Sequence, residues 1–502
     1  MTTIFWRRTV IGLALAVSSA ALLTLAFPPY NLGLLIWVGF IPMLAAQYRV
    51  LPKTISSLAS AVAIGGWLGV LLVPMFGGKS FFMVTLPLLV GALVLAVDKN
   101  KRAFHEHTGY RWFALEGVLG WVGLEMLRSF VPAFGTWVFV GYPLWSQPWL
   151  LQPLSVFGIY GLDLLIMLAN YVLALAVFAL FDRVTKPNPL GSPFPARKGG
   201  WGVRLSAWLA VLGVLLAGWI GLSLALYANA PSAGSTVRVA AIQPNLPRAA
   251  HRDTQTPPGQ RLATLAAQTR AAAAQGAQIV VWPEMVLGFD PQVVYTQELK
   301  ALATETRTYL VIGYVLDNEK GFRNEATVLS PAGQFLGVYG KSHPFIAAGE
   351  PGGISAGTYP VYDTPLGRLA TMICFDASFT DVARTLGGQG VQLIANPSLL
   401  GPPIAELPHT QIIFRAIENR TAIVMADVAY NSAIVDPYGR ILELTITPQG
   451  ALATLVANLP LGSSNTLYSK LGDWLGWLSL AGLVFFTVFM PVTMRRAQEL
   501  SL

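Results

Sequence analysis

Three apolar, strand-like stretches each end in a side chain suited to acyl chemistry: "LATMIC" in Cys374, "IVVWPE" in Glu284 and "FLGVYGK" in Lys341. Cys374 is the only cysteine among 502 residues. Its sulfur attacks well only as the thiolate, a form that a helix N-terminus and a nearby lysine stabilise. The segment "DASFTDVARTL" just after it has helical character. A carboxylate within reach can take the thiol proton and return it to a leaving group. A lysine cation can stabilise the oxyanion of a tetrahedral intermediate. Cysteine, glutamate and lysine together therefore suffice for acyl transfer without a metal. Taken singly, Cys374 also reads as an inert core thiol, Glu284 as a turn carboxylate and Lys341 as a solvated hairpin end. One cysteine excludes an intramolecular disulfide and any multi-cysteine metal site, and the five histidines include no HExxH pair.

The elements that must position these residues lie between Ala228 and Ser469. Short β-like runs ("TVRVAAI", "AQIVVW", "TYLVIGYVL", "RLATMIC", "VQLIA", "TAIVMADVA") alternate with helix-like ones ("GQRLATLAAQTRAAAAQGA", "TQELKALATETR", "FTDVARTL", "PHTQIIFRAIENR"). "SPAGQ", "TPLGR" and "DPYGR" have the composition of turns between paired strands. This pattern predicts one α/β or α+β domain of roughly 230 residues, and no internal repeat is visible.

The rest of the chain is of another kind. The composition is 54% hydrophobic and 12% charged, with a mean hydropathy of +0.55, where soluble domains carry about 25% charged residues. Apolar runs occur at Thr9–Phe27, Leu32–Tyr48, Ile55–Phe76, Phe81–Val97, Trp112–Leu127, Leu162–Phe181, Leu205–Tyr227 and Trp474–Val492. Most are long enough to cross a hydrocarbon core, which takes roughly 20 residues, so about eight transmembrane helices are expected. The first is too long for a secretion-signal core and is followed at once by further spans. With the N-terminus inside, inner segments carry Arg7, Arg8, Arg49, Lys53, Lys99, Lys101, Arg102 and Arg111 among others. The short outer loops carry only Lys79 and the borderline Arg128. Topology thus accounts for much of the +8 net charge, and nucleic acid is not needed to explain it. The expected division is a membrane region over 1–227, an extracytoplasmic catalytic domain over 228–469, and a final helix with a short tail over 470–502. Lys186–Gly200, rich in proline and glycine, is expected to be a flexible cytoplasmic loop. Glu125 and Arg128 can pair on one helix face, and Asp163 falls near the outer end of its span. The aromatic connector Phe130–Phe157 is either an interfacial belt or a cover over the site.

"VWPE", "YGKSHPF" and "MICFD" resemble the Glu-Lys-Cys signature of the nitrilase (carbon–nitrogen hydrolase) superfamily. "VAAIQPN", "IANPS" and "FRAIENR" are similar to further elements of that family, whose fold is an αββα sandwich. The membrane half extends the likeness: "FPPYNLGLLIWVGFIPML", "LEMLRSFVPAFGTWVFVGYPLW" and "GIYGLDLLIMLAN" resemble motifs of the apolipoprotein N-acyltransferases. This resemblance implies a ping-pong enzyme of the bacterial inner membrane, with both termini cytoplasmic and the catalytic domain periplasmic. Glu284 would be the general base, Cys374 the nucleophile that takes an acyl chain from a membrane phospholipid, and Lys341 the oxyanion stabiliser. The acceptor would be the α-amino group of a diacylglyceryl-cysteine on a lipoprotein. Glu350 lies near the position of a further family glutamate, and Phe375 and Asp376 stand where the family often has Tyr-Glu. Arg252, Leu399 and "MADVAYNS" depart from the family pattern on the acceptor side. No cofactor is implied, and no phosphate-binding Gly-rich motif is visible. The rival readings are a membrane-tethered amidase using the same triad on a small amide, and a transporter or lipoprotein-binding scaffold with an inactive nitrilase domain.

Overall fold

A computed structural model describes residues 2–75, 81–185, 201–230, 235–249, 256–318, 321–346, 350 and 358–499. The expected loop Lys186–Gly200 lies outside the described residues, as do Lys79 and Arg252. Among the described residues, twelve strands form two six-stranded sheets. The first runs in the order β12-β1-β2-β3-β4-β5, built from β1 (Thr236–Gln243), β2 (Ile279–Val281), β3 (Tyr309–Asn318), β4 (Gly321–Leu329), β5 (Phe335–Gly340) and β12 (Ala453–Pro460). The second runs β11-β10-β9-β8-β7-β6, from β6 (Val361–Thr364), β7 (Gly367–Thr371), β8 (Leu393–Ser398), β9 (Ala422–Asp427), β10 (Asn431–Val435) and β11 (Ile441–Ile446). Each has a parallel centre flanked by antiparallel strands. The three predicted turns join β4 to β5, β6 to β7 and β10 to β11.

Side-chain alternation along the strands explains the layering, because successive residues face opposite sides of a sheet. Val237, Val239 and Ala241 of β1 pack between the sheets with Leu369, Leu393, Ala395 and Val424. Their neighbours Ala240 and Ile242 instead meet Leu262, Leu265, Leu299 and Leu302 on the helices Pro258–Ala274 and Thr296–Thr306. On the far side, Ala370, Ile394 and Met425 pack with Val382, Leu386, Ile413 and Ile417 of the helices Asp381–Gly388 and Pro408–Asn419. The result is the expected αββα sandwich.

Among the described residues, six helical stretches are long and apolar enough to cross a membrane: Thr3–Ala26, Gly33–Val50, Lys53–Val73, Leu154–Thr185, Arg204–Ala228 and Trp474–Thr493. The other two predicted runs are also helical, over Phe81–Asp98 and Phe113–Ser129, but fall outside that set among the described residues. The second predicted span is no single α-helix. It passes through a 3-10 turn (Gly33–Trp37), an α turn (Ile41–Ala45) and a π turn (Ala46–Val50), with Pro42 unable to donate inside it. The Leu154–Thr185 helix starts earlier than the hydropathy indicated and breaks at Gly158, whose φ of 62° favours glycine.

That break joins the two halves. The Pro408–Asn419 helix is buried along its length, and its Phe414 packs against Tyr142 with ring centroids 4.7 Å apart. Beside the kink, Ile159 N–H donates to Glu418 Oε1 at 3.0 Å, and Glu418 pairs with Arg415 at 2.9 Å. Both charged side chains are fully buried. Burial, opposed by Arg415, pushes the Glu418 carboxyl up to about 7. Removing one partner of a buried pair leaves the other uncompensated, so Glu418→Ala should destabilise the fold by about 3–5 kcal/mol. Denaturant or thermal unfolding of the detergent-solubilised chain measures this, and wild-type stability in Glu418→Ala would contradict the pairing as a structural lock.

Candidate active site

β2, β3 and β5 run in one direction, so the loops leaving β2 and β5 emerge at one edge of the first sheet. Glu284 lies three residues past the end of β2, and Lys341 directly follows β5. Cys374 leaves β7 of the second sheet in a one-turn 3-10 helix, Cys374–Ser378. The structure brings the three together in one cavity of about 310 Å³. Lys341 Nζ donates to Glu284 Oε1 at 2.8 Å and to Glu350 Oε2 at 2.6 Å. All three ions are at least nine-tenths buried. Glu350, expected as a supporting residue, therefore clamps the lysine, and it also accepts from Phe345 N–H at 2.8 Å.

The backbone around the site is held in conformations that L-residues adopt rarely. Cys374 has a φ of 45° and Met285, next to Glu284, one of 49°. Such outliers persist where surroundings over-determine them, and they cluster at active sites. Gly313 on β3 permits the approach: a Cβ there would lie 2.2 Å from the Pro283 carbonyl oxygen and 2.9 Å from Glu284 Cα.

Asp376 ties the Lys341 loop to the Cys374 loop. Its Oδ1 accepts from Ser342 N–H (3.1 Å) and His343 N–H (2.8 Å), its Oδ2 from Tyr339 O–H (2.7 Å) and Ile373 N–H (2.9 Å). Burial pushes its carboxyl up to about 6, against the pull of His343 and these donors. Phe375 turns to the cavity wall and packs with Phe345 (4.5 Å), Phe379 (5.3 Å) and Trp137 (5.7 Å). Leu399 also lines the cavity, and its carbonyl accepts the Cys374 thiol at 3.7 Å.

The resting thiol is not the stabilised thiolate that the flanking residues led one to expect. Burial raises the Cys374 thiol well above its ordinary value and Glu284 raises it further, while Lys341 opposes both. The helix Asp381–Gly388 begins beyond the 3-10 turn, too far along the chain to cap Cys374 directly. Burial lowers the lysine, but the Glu284 and Glu350 carboxylates beside it outweigh that and hold Lys341 firmly protonated. The geometry is thus a neutral thiol, a carboxylate able to receive its proton, and a permanent cation beside both.

Two contributors were not foreseen. Asn324 donates to Glu284 Oε1 (2.6 Å) and Glu350 Oε1 (2.7 Å), bridging the carboxylates; the polar "RNE" inside the strand "GFRNEATVL" was the available signal. Trp137 is the second. Within the Phe130–Phe157 connector, Thr136, Trp137, Phe139, Val140 and Tyr142 are buried, while Phe130, Val131 and Trp149 are exposed. Thr136 N–H and Oγ1 both donate to the Ser378 carbonyl at 2.8 Å, and Trp137 Nε1 donates to Ser378 Oγ at 2.9 Å. The connector so covers the Cys374 loop, and Trp137 and Gln411 line both the site and a small adjoining cavity. That cavity shares Leu71, Pro28 and Leu407 with a third, of about 330 Å³, between the first membrane helices and the catalytic domain. Among the described residues Glu125 and Arg128 make no direct salt bridge, although the two charges act on each other: Glu125 Oε1 accepts from Val140 N–H at 3.3 Å, and Arg128 lies 5.0 Å over the Phe139 ring. Asp163 is fully buried beside Gly141.

Comparison with known proteins accounts for both halves. Residues 238–467 match the carbon-nitrogen hydrolase family, and residues 19–172 match the apolipoprotein N-acyltransferase N-terminal domain. An apolipoprotein N-acyltransferase of Geobacter metallireducens is 30% identical over 511 residues, covering 93% of each chain. The chain belongs to the apolipoprotein N-acyltransferase family. Another member, from Gloeobacter violaceus, is 28% identical over 522 residues, covering 95% of this chain and 93% of that one. A nitrilase of Pyrococcus abyssi is 34% identical over 176 residues, 32% of this chain and 64% of its own. Family membership and the apolar helices make this a bacterial membrane protein.

Two outcomes follow from the geometry. Asp376→Asn sets an N–H donor against Tyr339 or a backbone N–H, and should cost about 1–3 kcal/mol of stability. Acting through the loops, it should lower kcat for acyl transfer with KM little changed; an unaltered kcat would remove Asp376 as a positioning residue. Because Cys374 is the only cysteine, alkylation reads its titration alone. The midpoint should lie above the ~8.5 of a free thiol, and Lys341→Met should move it higher. A midpoint at or below the free value would contradict the resting neutral thiol.

Proposed function

We propose that this protein moves an acyl chain from a membrane phospholipid to the α-amino group of an N-terminal diacylglyceryl-cysteine on a lipoprotein, through a thioester on Cys374. Glu284 takes the thiol proton as sulfur attacks the ester carbonyl, and the oxyanion forms beside the Lys341 ammonium. Collapse expels the glycerol oxygen, which takes the proton from Glu284 and leaves as lysophospholipid. The neutral amine then attacks the thioester carbonyl, gives its proton to Glu284, and releases the thiolate, which regains that proton. Ester and amine become alcohol and amide, and the ester bond supplies the driving force.

The observation that carries this reading is the cavity that Cys374, Glu284 and Lys341 share with Trp137, a residue of the helical region. A soluble amide hydrolase has no need for a wall built from a membrane connector, whereas a donor that lives in the bilayer does. The cavities that share lining residues toward the first membrane helices support the same route. The Lys and Arg distribution supports a domain division at 1–227, 228–469 and 470–502, with both termini cytoplasmic and the catalytic domain on the outer side.

Incubation of the pure protein with acyl-labelled phospholipid should yield a hydroxylamine-sensitive label on Cys374, chased to a diacylated lipopeptide. Cys374→Ala should take no label. Glu284→Gln should slow the reaction by about 10²–10⁴-fold and Lys341→Met by about 10²–10³-fold. Absence of label on wild type, or equal labelling of Cys374→Ala, would sink the proposal. A labelled enzyme that releases only free acid would favour the amidase reading.

A further inference from the structure

A second large cavity, of about 670 Å³, lies at the other end of the helical region. Arg8 lines it, about sixteen residues or ~24 Å along the first helix from Thr24, and Thr24 borders the catalytic domain beside Pro402 and Leu407. Its charged lining is four cations, Arg8, Arg49, Lys53 and Arg102, against two carboxylates, Glu106 and Asp182. We propose that this cavity holds the headgroup of an anionic phospholipid, a phosphodiester with no compensating amine, drawn from the leaflet farther from Cys374.

The cations exceed the carboxylates, and the bundle fixes them in place. Arg8 donates from Nε to the Val50 carbonyl (2.9 Å) and from Nη2 to the Arg49 carbonyl (3.0 Å), which uses two of its five N–H donors among the described residues. Arg102 Nη1 donates to the Gln47 (3.0 Å) and Leu51 (2.8 Å) carbonyls, and its Nε to Glu106 (3.0 Å). Arg49 pairs with Asp182 at 3.1 Å. These bonds hold the guanidinium groups at one mouth without neutralising them all, a preorganised arrangement for a phosphate. Lys53 is the movable member: its side chain is 73% exposed and it pairs with Glu106 at 2.6 Å. An exposed pair of this kind is weak, so the ammonium can turn to a phosphate at little cost.

Apolar surface beside the charges selects a lipid over free phosphate. Ile11 and Phe181 line the same cavity. On the helix that carries Arg8, Ile4, Phe5, Trp6 and Val10 are exposed, a surface on which acyl chains can lie while the headgroup sits among the cations. Basic pockets between membrane helices on the cytoplasmic side are where anionic headgroups bind.

The test is native mass spectrometry of the delipidated full chain, titrated with dioleoylphosphatidylglycerol, dioleoylphosphatidylcholine or inorganic phosphate. Wild type should retain the glycerol lipid at least fivefold better than the choline lipid, and inorganic phosphate at equal concentration should not displace it. Arg8→Gln combined with Lys53→Gln should bring the two lipids to near parity. Should that double variant fail to fold, Lys53→Gln alone carries the test, with at least a twofold fall in preference expected. Equal retention of the two lipids by wild type, a preference that survives the substitutions, or displacement by inorganic phosphate would each overturn the proposal. Acylation of Cys374 is read separately, so this outcome is independent of the catalytic reading.

Discussion

A lysine ammonium taken out of water must be paired, and the burial of Lys341 organises everything around it. Desolvation of a lone cation costs several kcal/mol even after relaxation, and only close carboxylates with further hydrogen bonds offset it. Glu284 and Glu350 supply those charges, and Asn324 bridges the two carboxylates. The same contacts that make the lysine tolerable hold the carboxylate of Glu284, the proposed general base, beside the sulfur. The ion also stays charged whatever the thiol does, so the proposed oxyanion stabiliser is in place before substrate arrives. The thiol bears the cost of this arrangement, since a half-buried sulfur next to Glu284 resists ionisation. Proton transfer to Glu284 during attack, rather than a standing thiolate, is the chemistry such a site can run.

The second constraint is that this site must not move relative to the helices. The connector before the Leu154–Thr185 helix is bonded to Ser378, the last residue of the nucleophile turn. Glu418 binds the backbone freed by the break at Gly158. Arg420 reaches Gln152 Oε1 at 2.7 Å and lies 4.3 Å over the Tyr438 ring. Buried polar links of this kind are weak evidence of stability but good devices for a unique geometry, because each leaves an unpaired charge or donor if the halves slide. The apolar part of the seat is continuous as well: core residues of the helices and of the second sheet's outer face form one packed cluster.

Much of the sandwich is legible in the sequence because strand alternation and turn chemistry are local. "TVRVAAI" and "TAIVMADVA" become β1 and β9, and "DPYGR" becomes the turn from β10 to β11. The ends of β2, β5 and β7 could be matched to Glu284, Lys341 and Cys374 for the same reason. What could not be read depends on contacts distant in the chain. Asn324 looks like an ordinary strand residue until β4 is laid beside the lysine loop, and Trp137 meets Ser378 across 241 positions of sequence. Hydropathy located Leu32–Tyr48 as apolar but is blind to the succession of 3-10, α and π turns into which it folds. It is equally blind to ion partners: i,i+3 spacing put Glu125 and Arg128 together, whereas Val140 N–H and the Phe139 ring claim them.

What attacks a thioester at Cys374, water or an amine, turns on how wet the cavity is. Trp137, Phe345 and Phe375 pack on one another over the site, and Leu399, Leu400 and Ile404 complete an apolar lining around a small charged centre. Phenylalanine at 375, where the family often has tyrosine, removes a hydroxyl that could anchor water there. A thioester flanked by such walls has few polar groups beside it to hold a water molecule. An amine delivered on a lipid-modified peptide buries its own acyl chains against the same surfaces and so displaces what water remains. The aromatic cover therefore favours transfer over hydrolysis on physical grounds, and the missing hydroxyl at Phe375 works in that direction.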